Sequence, residues 1–160
     1  MSGAMTELPS AFRCAMRRLA SGVGVVAAIG PDGATGMAAT SITSLALDPP
    51  SLLVCVNRQA SLHACLAPGA RFCVSLLGFE HRDIAAAFGG AVARHARFSI
   101  GEWSMDAQGI PRLDGAQANF SCAVDQMVAY GTHTIVVGRV DAVRTCGEVT
   151  PLIFQDGRYL

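Results

Sequence analysis

The residues best suited to chemistry lie between Gly36 and Ser61, a stretch of small side chains and hydroxyls, a double proline and a strand-like run. Met37, Ala38 and Ala39 leave the backbone accessible. A flat ligand could lie directly against it, its polar edge meeting free N–H groups. Thr40, Ser41 and Ser61 supply hydroxyls and Arg58 a guanidinium, a set that can hold a phosphate. Cys55, Val56 and Asn57 complete the strand that leads into Arg58. The combination fits a bound mononucleotide better than a bare structural strand. The plainer alternatives are an edge strand whose small residues only permit close packing, a helix-capping Ser61 and a solvated Arg58. Capping and anion binding at Ser61 are compatible, because a helix N-terminus favours both.

The elements that must position these residues can be read from periodicity. Ser10 is placed to cap a first helix with Phe12, Ala15, Met16 and Leu19 on its apolar face, ended by Gly22. Val23–Ile29 reads as a strand, and Gly30-Pro31-Asp32-Gly33 as a turn into the next one. Pro49-Pro50 is expected to break strand pairing and separate that strand from Leu52–Val56. A short helix over Ser61–Leu66, a strand Phe72–Leu77 and a helix Glu80–Phe88 stopped by Gly89-Gly90 follow. Residues 91–112 read as irregular. Asn119–Ala129 and Thr132–Val143 are two long β runs around Tyr130-Gly131, and Leu152–Leu160 reads as a final strand. Strands outnumber the short helices and do not alternate with them as βαβ units, so a small antiparallel barrel with covering helices is expected.

Bulk properties exclude several function classes. The 160 residues suit one domain with a sizeable core, spanning 1–160 with a flexible stretch at 1–9. Twelve basic and twelve acidic residues balance, so no basic patch for nucleic acid is advertised. Every basic residue is arginine. Without lysine, Schiff-base chemistry and a Walker-type phosphate loop are excluded. Hydrophobic residues make up 51% and charged residues 15%, a surplus best buried between two subunits. No apolar run approaches the ~18 residues of a membrane helix, and the N-terminus does not read as a secretory signal. Six cysteines lack any C-x-x-C pair and are expected as free, buried thiols in a reducing compartment. His63, His81 and His95 form no metal-ligand spacing, so no metal site is expected. No Gly-x-Ser-x-Gly elbow supports a hydrolase.

With these residues in hand, the chain resembles the short-chain flavin reductases of two-component monooxygenase systems. The resemblance spans Phe12 to Tyr159. It rests on the helix Phe12–Met16 followed by Gly22–Val26, on Gly36 through Pro50, and on Cys55 through Ser61. Phe72–Leu77, Arg97-Phe98 ahead of Trp103, Gly131-Thr132-His133 and Pro151-Leu152 follow in order. It implies a mainly β fold with peripheral helices, the FMN-binding split β-barrel, antiparallel and of Greek-key type. It also implies reduction of FMN or FAD by NADH or NADPH, a cytoplasmic homodimer, and a separate oxygenase that receives the reduced flavin. Ala38, Ala39, Thr40 and Ser41 would then line the isoalloxazine, with Asn57 on the ribityl chain or its own turn. Ser61 and Arg58 would meet the phosphate, and Arg97 the phosphate or a dinucleotide tail. His133 would orient the nicotinamide, since hydride transfer needs close stacking more than a base. Thr132 stands where many members carry aspartate, and Ser75 where many carry asparagine. The rival reading is a flavin carrier that turns over no NAD(P)H. A haem barrel is a weaker one, for want of a convincing axial ligand.

Overall fold

The computed structural model describes residues 7–160. Helix α1 (Leu8–Met16) starts after Glu7 and carries Pro9 in its first turn, so Ser10 lies inside it and does not cap it. The expected flexible stretch 1–9 thus falls mostly outside the described residues, and Leu8 and Pro9 are helical. The chain turns off at Arg17, so Gly22 does not end the helix but belongs to strand β1 (Ser21–Gly22). Among the described residues, no helix is long and apolar enough to cross a membrane.

Strands β2 (Gly24–Gly30) and β3 (Gly33–Ala39) form a hairpin closed at Gly30 and Gly33. Gly33 sits at φ +102°, where any side chain would be strained. Strands β4 (Ile42–Leu47) and β5 (Pro50–Asn57) make a second hairpin, with Leu47 facing Pro50. The double proline therefore builds the turn instead of separating the strands. Pro50 is tolerated because it opens β5. A 3-10 turn (Ser61–Cys65) leads to β6 (Arg71–Leu76). The expected helix 80–88 is a 3-10 turn at Phe79–His81, then α2 (Arg82–Ala86) and a widened turn, Ala87–Ala91, broken by Gly90 at φ +115°. Residues 91–112 are more ordered than expected, with a 3-10 turn (Arg94–Ser99) and a hairpin of β7 (Trp103–Met105) and β8 (Pro111–Leu113). The long strands β9 (Ala118–Tyr130) and β10 (His133–Thr145) follow. The expected last strand is a hairpin, β11 (Ile153–Gln155) and β12 (Arg158–Tyr159), turned at Asp156-Gly157.

Seven strands form one antiparallel sheet in the order β3-β2-β6-β9-β10-β5-β4. Its two edge strands, β3 and β4, are separated in sequence only by Thr40 and Ser41. A flat sheet could not place consecutive strands at opposite edges across so short a link, so the sheet curls and the edges converge there. Register shifts in the β9–β10 ladder at Gly138 and after Val140 supply part of the bend. The curled sheet encloses one core of Val26, Val54, Val56, Phe72, Val74 and Val136, all fully buried. Val25, Leu77, Ile84, Phe88, Leu113 and Leu152 form a second core between the barrel wall and the helical cover. Phe88, Phe98 and Trp103 anchor that cover, with ring centroids 5.0–5.2 Å apart.

All six cysteines are free, but only Cys73 and Cys122 are buried; Cys14 and Cys146 are exposed. Burial pushes both buried thiols up to about 12, which makes them inert small hydrophobes. Ser75 is buried and works structurally. Its hydroxyl donates to Asn119 Oδ1 at 2.6 Å and accepts from the Leu113 amide at 3.1 Å.

Asp106 pins the β7–β8 hairpin to the barrel. Its Oδ1 accepts from the amides of Gln108 (2.8 Å) and Ile110 (3.0 Å), and its Oδ2 from Ser121 Oγ (2.7 Å). Burial alone would raise its pKa, but the Ile110, Ser121 and Gln108 hydrogen bonds outweigh it and hold the carboxyl below its ordinary 3.8. A depressed folded-state pKa stabilises the fold above the unfolded-state value and is lost as pH falls through the folded one. Asp106→Asn should therefore cost about 1–3 kcal/mol at neutral pH. The gap to the parent should narrow as acid protonates Asp106. Urea melts at neutral and strongly acidic pH check this.

Candidate functional site

The site is built on the open edge of β3. Among the described residues β3 pairs only with β2, so half of its backbone groups face away from the sheet. The Gly36 carbonyl is one of these, since it accepts Arg97 Nη1 at 3.0 Å from outside the ladder. N–H and C=O of one residue point to the same side of an antiparallel strand, and alternate residues share that side. The polar groups of Ala38 therefore also face the open edge, whereas those of Met37 and Ala39 pair with Val26 and Gly24. A Cβ at Gly36 would lie 3.0 Å from the Phe88 ring and 3.1 Å from the Val26 carbonyl, so a side chain there fits only if its neighbours shift.

The expected site residues divide into groups. Met37 and Ala39 pack against the barrel core, and Val56 is 0% exposed inside it. The side chain of Val56 is therefore closed to a ligand, and only its backbone could take part in a site. Ala38 packs on the second core, leaving its backbone as its only polar offering. Thr40 and Ser41 are exposed at the convergence of the two edges. Ser41 is tied across it, its hydroxyl donating to the Cys55 carbonyl at 3.1 Å and its carbonyl accepting from the Cys55 amide at 3.2 Å.

Further along, Asn57 stands directly opposite His133 in the β5–β10 ladder. Its Oδ1 accepts the Gln59 amide at 2.9 Å, closing its own turn. Arg58 bonds the loop that presents His133: its amide donates to the Thr132 carbonyl at 2.9 Å, and its Nη1 to the Gly131 carbonyl at 3.4 Å. His133 is exposed, with Nδ1 2.8 Å from the Thr132 hydroxyl.

Ser61 is the first residue of its 3-10 turn, not the cap, which is Ala60. Its Oγ instead meets Thr35 Oγ1 at 3.2 Å, joining that turn to β3. This hydroxyl pair lines a groove of about 710 Å³ formed by Gly30–Gly36, Ser61, Ala64, Cys65 and Ala93–His95. Of the expected site residues only Ser61 lines this groove. Arg97 stands beside it, committed to the Gly36 carbonyl and, through Nε at 3.3 Å, to the Val92 carbonyl. Burial and the neighbouring Arg94 lower its pKa from the ordinary arginine value.

The flavin reductase like domain family matches residues 16–160. The chain belongs to this family. An FMN reductase (NADH) RutF from Variovorax paradoxus is 38% identical over 99% of this chain and 88% of its own. The NADH:FAD oxidoreductase SgcE6 of Streptomyces globisporus, solved with NAD and FAD fragments, superimposes with a TM-score of 0.88 at 28% identity. That match covers 100% of this chain and 96% of SgcE6. The styrene monooxygenase flavin reductase of Pseudomonas putida S12 gives a TM-score of 0.83 at 34% identity, covering 93% and 95% of the two chains. The fold is the antiparallel split barrel of these flavin reductases.

Sequence reasoning did not single out Thr35 or Arg94, which line the groove with Ser61. Thr35 is joined to Ser61 across 26 residues, a pairing that no local spacing reveals. Arg94 could have been found as the second cation of the Arg94–Arg97 pair. No group of His, Cys, Asp or Glu among the described residues could hold a metal ion.

Proposed function

We propose that this chain is an NAD(P)H-dependent flavin reductase that reduces FMN or FAD and supplies the product to a separate monooxygenase. The observation that carries the reading is the open β3 edge ending at the Thr35–Ser61 hydroxyl pair. Outward backbone groups around Ala38 can meet the polar rim of an isoalloxazine, and the hydroxyls can accept its phosphate tail. When bound, the two nucleotides supply the chemistry, a hydride passing from nicotinamide to flavin. The chain's own residues then need only hold the rings in register and keep one flavin face open. Both the RutF relative and SgcE6 carry NADH in their names, which favours NADH as donor.

A homodimer in the cytoplasm is the assembly that fits. Leu53, Cys55, Ile135 and Val137 share the outer face of the β5–β10 ladder, beside Val128 and Tyr130, which are 50% and 82% exposed. A contiguous apolar face of this kind is better covered by a second subunit than left in water.

His133 is assigned the task of orienting the nicotinamide, held by its bond to Thr132 and by the Arg58-braced loop. His133→Ala should raise KM for NADH about tenfold while kcat falls less, as expected for loss of a positioning contact. Unchanged kcat and KM would remove that role. The function itself is tested by mixing protein, flavin and NADH without oxygen. Rapid loss of the oxidised flavin's visible absorption supports a reductase; flavin that binds but stays oxidised indicates a carrier.

A further inference from the structure

We propose that His63 is a positioning residue: through Thr134 it fixes the strand that presents His133 against the turn that carries Ser61. The inference rests on the flavin reductase reading of Ser61 and His133 and adds what sets the distance between them. His63 Nε2 lies 2.9 Å from Thr134 Oγ1, a contact between residues 71 apart in sequence that joins the 3-10 turn to β10.

Thr134 follows His133 directly on β10. Consecutive residues of a strand point to opposite faces, so Thr134 turns its hydroxyl into the barrel while His133 faces outward. Thr134 is 4% exposed and stands opposite the fully buried Val56 in the β5–β10 ladder. A hydroxyl placed there costs stability unless it is bonded, and a valine would fill the space without that cost. The bond to the half-buried His63 ring, which the hydroxyl can make as donor or as acceptor, accounts for threonine at this position.

The turn itself is firmly seated, because Leu62 and Leu66 are buried in the barrel core. At about three residues per turn, Ser61 and His63 leave it in different directions. Ser61 Oγ reaches Thr35 of β3 at 3.2 Å, and His63 reaches β10. β3 and β10 do not pair; β2, β6 and β9 lie between them in the sheet order. The turn is therefore a strut across the curled sheet. One end lies at the hydroxyls that take the flavin phosphate, the other one residue from the imidazole that orients the nicotinamide.

Loss of the His63–Thr134 bond removes no contact to either nucleotide. It lets the two ends shift relative to each other, and a misplacement of about 1 Å can cost about 100-fold in rate. The effect therefore falls on kcat, whereas changes at Ser61 and His133 act mainly on KM.

The test measures kcat and the KM values for flavin and NADH in the parent, His63→Leu, Thr134→Val and the double variant. Each single change should lower kcat about tenfold and leave both KM values within about threefold of the parent. The double variant should be no slower than either single one, since both remove the same bond. His63→Gln, whose amide nitrogen can replace Nε2 as a hydrogen-bonding group, and Thr134→Ser, which keeps the hydroxyl, should recover most of the loss. Thr134→Val preserves the shape of the side chain and carries the test alone should His63→Leu not fold. An unchanged kcat in Thr134→Val, or losses that add in the double variant, would overturn the proposal. So would a raised flavin KM at unchanged kcat, which would make the bond a support of phosphate binding alone. A parent that oxidises no NADH with either flavin sinks the reductase reading and this inference with it; an active parent with unaltered variants sinks only the role of His63.

Discussion

Phe72→Ala is expected to remove about 3–5 kcal/mol of stability, the range for deleting a fully buried aromatic ring. Phe72 is 0% exposed at the centre of the barrel core. Its ring edge closes on Gly138 of β10, where an added Cβ would lie 3.0 Å from Phe72 Cε1 and closer still to Cζ. It would also lie 3.2 Å from the Cβ of Cys122, on the strand between. The ring thus fills a space that exists only because residue 138 has no side chain. Gly138→Ala in the parent should therefore cost about 1–3 kcal/mol by overpacking. In the Phe72→Ala background the same change enters a cavity, and its cost should vanish or reverse sign. Chemical denaturation of the four proteins gives this coupling directly. Additive costs would show that ring and glycine do not share one space.

The largest functional effect is expected from the Thr35–Ser61 pair. Replacing both with alanine should raise KM for flavin about 10- to 100-fold, the worth of hydrogen bonds to a charged phosphate. kcat should change little, because the contact is made equally before and during hydride transfer. The bond between the two hydroxyls is half-buried, so the double change leaves neither hydroxyl stranded without the other. Steady-state kinetics with saturating NADH and varied flavin check this. A fall in kcat at unchanged KM would mean that the pair acts on ring placement, not on phosphate.

The sheet was legible in the sequence where strands are long and either alternate or run apolar. The β9–β10 hairpin departs from its expected bounds by one or two residues, because thirteen-residue strands on a half-buried surface carry a strong period. The Asp48-Pro49-Pro50 turn was misread, since proline forbids a ladder donor but not a hairpin end. The 91–112 segment was unreadable because its elements are three to six residues long. They are held by side-chain bonds that no local period signals, such as Trp103 Nε1 donating to the Ile100 carbonyl at 2.8 Å. The same limit applied to the site. Ser61 stood out by its place after Asn57 and Arg58, but Thr35 was hidden in a glycine-rich strand. The placing of His133 opposite Asn57 is a product of sheet register, which sequence spacing does not encode.

The central claim is tested most directly by steady-state oxidation of NADH by the purified protein, with and without added FMN or FAD. Turnover that requires flavin and saturates with it is the predicted result. NADH left unoxidised under every flavin condition, by protein that nevertheless binds flavin, would contradict it and leave a carrier.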